Sequence, residues 1–214
     1  MPTKAKVSPE EQIGLERIVF FSDAVMAIAI TLLAIDIRVP NVDPAVAVTE
    51  LTSQLSTMVP TLTTFFISFL VIGNYWISHH RYFGYIKRYD SRLILLNLMF
   101  LFFIICMPFL ANLLGRYGDV PIVLIIYTLA ISALGLSMAL IWWYATYDHR
   151  LVSAELDPDT IRKINIRLFI SPVVFLVALP FAYVSSVAVI LVWWFSPIIV
   201  MIAIRLSGRQ GNSR

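Results

Sequence analysis

LILLNLMFLFFIICMPFLANLL, residues 93–114, runs for 22 positions without a charged side chain. At 1.5 Å of rise per residue such a helix is about 33 Å long, enough to cross the roughly 30 Å hydrocarbon core of a bilayer. Working outward, further apolar windows lie near 17–37, 59–80, 120–145, 164–184 and 186–205. With 92–114 they make six. Composition agrees: 59% of the 214 residues are hydrophobic and 14% charged, whereas soluble domains carry about a quarter charged residues. The expected fold is all-α, a polytopic membrane protein of six transmembrane helices, with 1–214 as a single unit and no internal repeat.

Orientation follows from the basic residues. Lys4, Lys6 and Arg17 precede or open the first span, and Arg81, Lys87, Arg88 and Arg92 follow the second. Arg150, Arg162, Lys163 and Arg167 follow the fourth, and Arg205, Arg209 and Arg214 lie in the tail. Fourteen of the sixteen Lys and Arg residues thus fall on one side, leaving Arg38 and Arg116 on the other. Short loops rich in Lys and Arg stay in the cytoplasm, so a cell-membrane protein with both termini inside is expected. Residues 1–16 are polar and of mixed charge, unlike a cleaved signal peptide. The net charge of +3 is explained by this topology, and no nucleic-acid partner is expected. The single cysteine, Cys106, sits in an apolar run as core filler; no metal or cofactor is expected. The outer segment 38–58 holds Pro40 and Pro44 and reads as a loop with at most one short helical turn.

The first span, RIVFFSDAVMAIAITLLAIDIRVP (17–40), carries the chemistry. It is apolar enough to insert but contains Arg17, Ser22, Asp23 and Thr31, and a charge toward mid-membrane persists mainly when paired or facing water. At 100° per residue, Ile28, Thr31, Leu32 and Ile35 share one face, which extends inward through Ala24 and Phe21 to Arg17. Asp23 lies about 140° around from Ile28. Ser22 and Asp23 therefore face neighbouring helices, with Trp76, His79 and Asn97 as partners at matching depth and Arg17 able to reach around to them. Taken alone, the cluster reads as interhelical polar glue, and the Ile/Leu/Thr stripe as packing or lipid contact.

Arg17-x-x-x-Phe21-Ser22-Asp23, followed by the apolar run with Thr31, resembles the signature of the transmembrane protein 175 family of lysosomal potassium channels and their prokaryotic homologues. Trp76-x-x-His79, Leu96-Asn97-Leu98 and Met107-Pro108-Phe109 extend the likeness across the chain. The resemblance implies a homotetramer, with K+ as the permeant ion and a pore lined by the first helix in place of a Thr-Val-Gly-Tyr-Gly filter. It implies Ile28 as hydrophobic constriction, Thr31 as a hydroxyl layer, and Leu32 and Ile35 as further lining. Arg17, Ser22, Asp23, Trp76, His79 and Asn97 would form an inter-helix polar network. From their position alone, Asp36 and Asp43 near the outer mouth read either as ordinary solvated loop carboxylates or as charges that raise the local cation concentration. The rivals are a secondary transporter or proton-permeable protein, an intramembrane hydrolase using Ser22, Asp23 and His79, and a purely structural membrane protein. A transporter usually shows repeated halves, and adjacent Ser22 and Asp23 diverge by 100°.

Overall fold

The structure is a computed structural model that describes residues 9–35, 37–183, 185, 188–189, 191–193, 195, 199 and 201–202. Its α-helices are α1 (Pro9–Leu32), α2 (Ala47–Thr57), α3 (Val59–Phe83), α4 (Ser91–Tyr117), α5 (Pro121–Thr146) and α6 (Pro158–Val177). Short 3₁₀ turns follow α5 at Tyr147–His149 and α6 at Leu179–Tyr183.

Local chemistry sets where these helices start. Asp90 is extended and accepts the Leu93 N–H at 2.8 Å, capping α4. Asp157 accepts from the Asp159 and Thr160 N–H groups, with Pro158 opening α6. Pro60 and Pro121 occupy the first turns of α3 and α5, where a missing N–H costs nothing. Within the spans, hydroxyls are satisfied by their own helix: Thr128 donates to the Leu124 carbonyl, Ser132 to Thr128 and Thr146 to Trp142. In a medium without water every polar group needs such an internal partner.

The centre of the subunit is α5, packed chiefly against α4 and α6, with α3 and α1 closing on the other side of α4. Tyr127, Leu134, Met138 and Trp142 of α5 are fully buried. They meet Phe100, Ile104 and Met107 of α4 in the same core. Gly135 is the close-approach point: a Cβ there would lie 2.9 Å from both the Tyr75 hydroxyl of α3 and the Pro172 ring of α6.

Among the described residues, four segments are long and apolar enough to cross a membrane: Val59–Phe83, Ser91–Tyr117, Pro121–His149 and Pro158–Tyr183. The first expected span, 17–37, is shorter as a helix, since α1 ends at Leu32 and continues as tight turns in which Ala34, Ile35 and Ile37 each bond three residues back. Its N-terminal end reaches further, to Pro9. The outer segment 38–58 requires a correction, because it contains the three-turn helix α2 rather than a loop. No residue of α2 is buried; Val48, Leu51 and Leu55 recur at helical spacing, but the segment is short and follows Pro40 and Pro44. The expected fifth span, 164–184, begins earlier, at Pro158. The sixth, 186–205, falls largely outside the described residues, as do Asp36 and the terminal basic residues Lys4, Lys6, Arg205, Arg209 and Arg214.

Candidate functional site

Helix α1 has two sides of different character. Ser22, Met26, Ala29 and Leu33 recur at helical spacing and are at most 5% exposed, facing α4 and α3. About 120° around the helix, Phe21, Ile28, Leu32 and Ile35 are 52%, 58%, 41% and 65% exposed. Arg17, Ala24 and Thr31 are exposed on the same side.

On the packed side a directed chain of hydrogen bonds joins three helices. The Ser22 hydroxyl donates to the Ile18 carbonyl at 2.8 Å and accepts from Asn97 Nδ2 at 2.8 Å. Asn97 Oδ1 then faces His79 Nε2 at 3.0 Å. Because the amide has used an N–H on Ser22, its oxygen is the acceptor, so His79 carries its proton on Nε2. The imidazole lies between two rings, 4.0 Å from Phe83 and 5.5 Å from Phe100, both nearly parallel to it. Its Nδ1 is buried without a partner. Asp23 stands apart from this chain: its Oδ1 accepts from Trp76 Nε1 at 2.9 Å at the edge of α3. Arg17 joins neither arrangement, being exposed and without a hydrogen bond or ion pair among the described residues.

The Thr31 hydroxyl on the outward side donates to the Ile28 carbonyl at 2.8 Å. Its proton is therefore committed inward to the helix, and the lone pairs of Oγ1 remain as acceptors on the exposed stripe. Ile35 lies past the helix end, but i→i+3 turns place residues three apart over one another, which keeps it on the side of Leu32. Asp43 accepts the Ala45 N–H at 2.9 Å in a local turn.

The N-terminal end of α1 is held by the α3–α4 connection. A Cβ on Gly14 would fall 2.2 Å from the Tyr89 hydroxyl, so only glycine admits this ring. That connection is in turn tied to the one after α5. The Lys87 and Arg88 N–H groups both donate to the Leu151 carbonyl, and Arg88 Nη2 donates to the Arg150 carbonyl at 3.1 Å. The Arg150 guanidinium lies 4.4 Å over the Tyr144 ring, whose hydroxyl donates to Asp90. Partial burial works to raise the Asp90 pKa, but the Tyr144 hydroxyl, the Leu93 and Arg92 N–H groups and the Arg150 charge outweigh it and hold it below the usual carboxylate range. Asp148 and His149 adopt positive φ, 50° and 52°, at the turn that presents Arg150.

Sequence reasoning overlooked Phe83, Phe100, Gly14 and the approach of Tyr89 to Gly14. Phe83 had a signal, standing i+4 from His79 on one helix; the other three depend on tertiary approach. The hydrolase arrangement does not form: His79 bonds Asn97 rather than Ser22, and Asp23 bonds Trp76. Among the described residues no three His, Cys, Asp or Glu side chains gather to hold a metal ion.

Comparison with known proteins places this geometry. Residues 17–108, which contain the whole polar cluster and the α1 stripe, match the family described as the endosomal/lysosomal potassium channel TMEM175. A potassium channel of Streptomyces collinus is 32% identical over 79% of this chain and 83% of its own length. One of Chamaesiphon minutus is 31% identical over 84% of this chain and 89% of its own. The crystal structure of a lysosomal potassium-selective channel TMEM175 homologue from Chamaesiphon minutus superposes with a TM-score of 0.75 at 27% identity, covering 89% of this chain and 98% of that one. The family is one of ion channels, which sets an enzymatic role aside. This multi-pass, all-α membrane protein belongs to the TMEM175 family.

Proposed function

We propose that four copies of this chain form a potassium channel whose pore is lined by the exposed side of α1, with both termini in the cytoplasm. The carrying observation is the division of α1 itself. A helix that spends its polar groups on α3 and α4 leaves free a stripe with a hydroxyl acceptor, Thr31, one turn from a bulky apolar residue, Ile28. Exposure alone does not distinguish this stripe from surfaces such as Leu95, Phe102 and Phe109 of α4, at 67%, 56% and 68%. What distinguishes it is the hydroxyl, together with small Ala24 and Ala27 beside it, which let helices approach closely in a membrane.

In this arrangement a ring of four Ile28 side chains narrows the path and excludes water when closed, a gate that works by dewetting. The Thr31 oxygens replace part of the ion's hydration shell one turn further out, with Leu32 and Ile35 lining the path beyond. K+ sheds water more readily than Na+, so a partly apolar constriction favours it modestly. The network of Ser22, Asn97 and His79, with the Asp23–Trp76 pair, fixes the rotation of α1 so that the stripe points to the axis.

The test is flux from liposomes holding the purified protein, with K+ or Na+ as the only permeant cation. Dissipation of a K+ gradient faster than a Na+ gradient supports the proposal. Saturable flux that requires a second, coupled ion contradicts it in favour of a transporter.

A further inference from the structure

Side chains of α3 and α6 reach the same point on α5. Their meeting point is Gly135, where the Tyr75 hydroxyl and the Pro172 ring converge. From there both helices run toward the same end of the subunit. Arg81 lies six residues beyond Tyr75 and Arg167 five residues before Pro172, about 9 Å and 7.5 Å along their helices, so they stand at nearly one depth. Both guanidinium charges fall within electrostatic reach of the Tyr82 hydroxyl. One arginine from each helix thus stands within reach of Tyr82 at nearly the same depth.

Several basic side chains at this end have a protein partner. Lys163 and Arg162 pair with Asp159, Arg150 lies over Tyr144, Arg88 bonds the Arg150 carbonyl and Lys87 the Gly84 carbonyl. Arg81 and Arg167 are exposed and take no carboxylate among the described residues. One turn toward the apolar part of each helix stand Ile77, 51% exposed, and half-buried Ile170. Paired positive charge above an apolar flank is the complement of a phospholipid, phosphate at the boundary and acyl chain below it. Guanidinium groups match phosphate oxygens with forked hydrogen bonds, and basic pockets between helices on the cytoplasmic side recognise anionic headgroups.

We propose that Arg81 and Arg167 form a site at the inner end of the α3–α6 seam for an anionic phospholipid, with its acyl chain along Ile77 and Ile170. The apolar flank selects a lipid over free phosphate. Only the leaflet depends on the orientation proposed above; binding itself does not, and it is read without any ion flux.

The experiment uses the full chain purified in detergent, with phosphatidylglycerol or phosphatidylcholine added at matched concentrations and retention read by native mass spectrometry. Phosphatidylglycerol is expected to bind in preference to phosphatidylcholine. The double variant R81Q/R167Q weakens it about thirtyfold, at roughly fivefold per basic contact. R162Q/K163Q, whose charges already serve Asp159, stays near wild type. Should the double variant fail to assemble, the single variants Arg81→Gln and Arg167→Gln each read about fivefold. Equal binding of the two lipids, equal weakening by R162Q/K163Q, or displacement by inorganic phosphate overturns the site. Unchanged lipid binding in an R81Q/R167Q protein that has lost its oligomeric state also overturns it, and assigns the seam to a neighbouring copy.

Discussion

The two sides of α1 differ in how much of their reason one chain contains. On the side of Ser22, Met26, Ala29 and Leu33 every contact is internal: apolar groups are buried and the hydroxyl is bonded. The side of Phe21, Ile28, Leu32 and Ile35 is large, apolar and uncovered, and its place is explained only by what lies outside the subunit. A single chain can thus set the helix's rotation without containing the pore that we propose this rotation serves.

The largest expected effect breaks the uncovered side. Ile28→Asn is expected to raise K+ flux in liposomes about tenfold, equivalent to removing about 1.4 kcal/mol of barrier, because a polar ring stays wet. Unchanged flux in an assembled variant removes Ile28 as the constriction.

Breaking the packed side is expected to cost stability. Asn97→Leu leaves the His79 Nε2–H without a partner and takes the Asn97 donor from Ser22, whose hydroxyl keeps its bond to the Ile18 carbonyl. Orphaned buried groups cost about 1–3 kcal/mol each, whereas interhelical bonds in membranes average about 0.6 kcal/mol. The variant orphans one buried donor and removes a second bond in a tightly packed place, so about 2 kcal/mol is expected in detergent denaturation, with little change in ion preference. A shift in K+ over Na+ preference at unchanged stability would reverse the division of labour between the two sides.

A smaller effect sharpens the comparison at the N-terminal end of α1. Gly14→Ala forces the Tyr89 ring aside and is expected to cost about 1 kcal/mol, as overpacking does. In a Tyr89→Ala background that cost is expected to vanish, a coupling that a double-mutant cycle reads directly. Equal costs in both backgrounds would mean that Gly14 serves some other contact.

The smallest effect concerns acid. The Asp90 pKa is depressed in the folded protein, so its contribution is fully present above the unfolded value of about 3.9 and is lost as pH falls through the lower folded value. Asp90→Asn is expected to flatten stability against pH below about 4. A profile in that range identical to wild type would contradict the bonding from Tyr144 and Leu93.

How much of this was legible in the sequence varies with the physics. Residues 93–114 could be read directly, because an uncharged run of that length has few other uses. The polar side of α1 was also legible, since Ser22 and Asp23 inside an apolar helix demand partners and few polar residues lay at the right depth. Which partner each takes was not. The separation of Ser22–Asn97–His79 from Asp23–Trp76 depends on how α3 and α4 are rotated, and that is set by packing over the whole subunit. Helix α2 was hidden for another reason: Val48, Leu51 and Leu55 recur at helical spacing, but over only three turns, and Pro40 and Pro44 before them point to a loop. Arg17 looked able to reach the cluster by length alone, yet it stays exposed.

The central claim is that the uncovered side of α1 meets its own copies. The direct test is oxidative cross-linking of Ile28→Cys in a Cys106→Ser background, in membranes, with Phe102→Cys on α4 as comparison. The account predicts disulfide-linked pairs of chains through position 28 and none through 102. Absence of cross-links at 28 in a protein that assembles and conducts would contradict it.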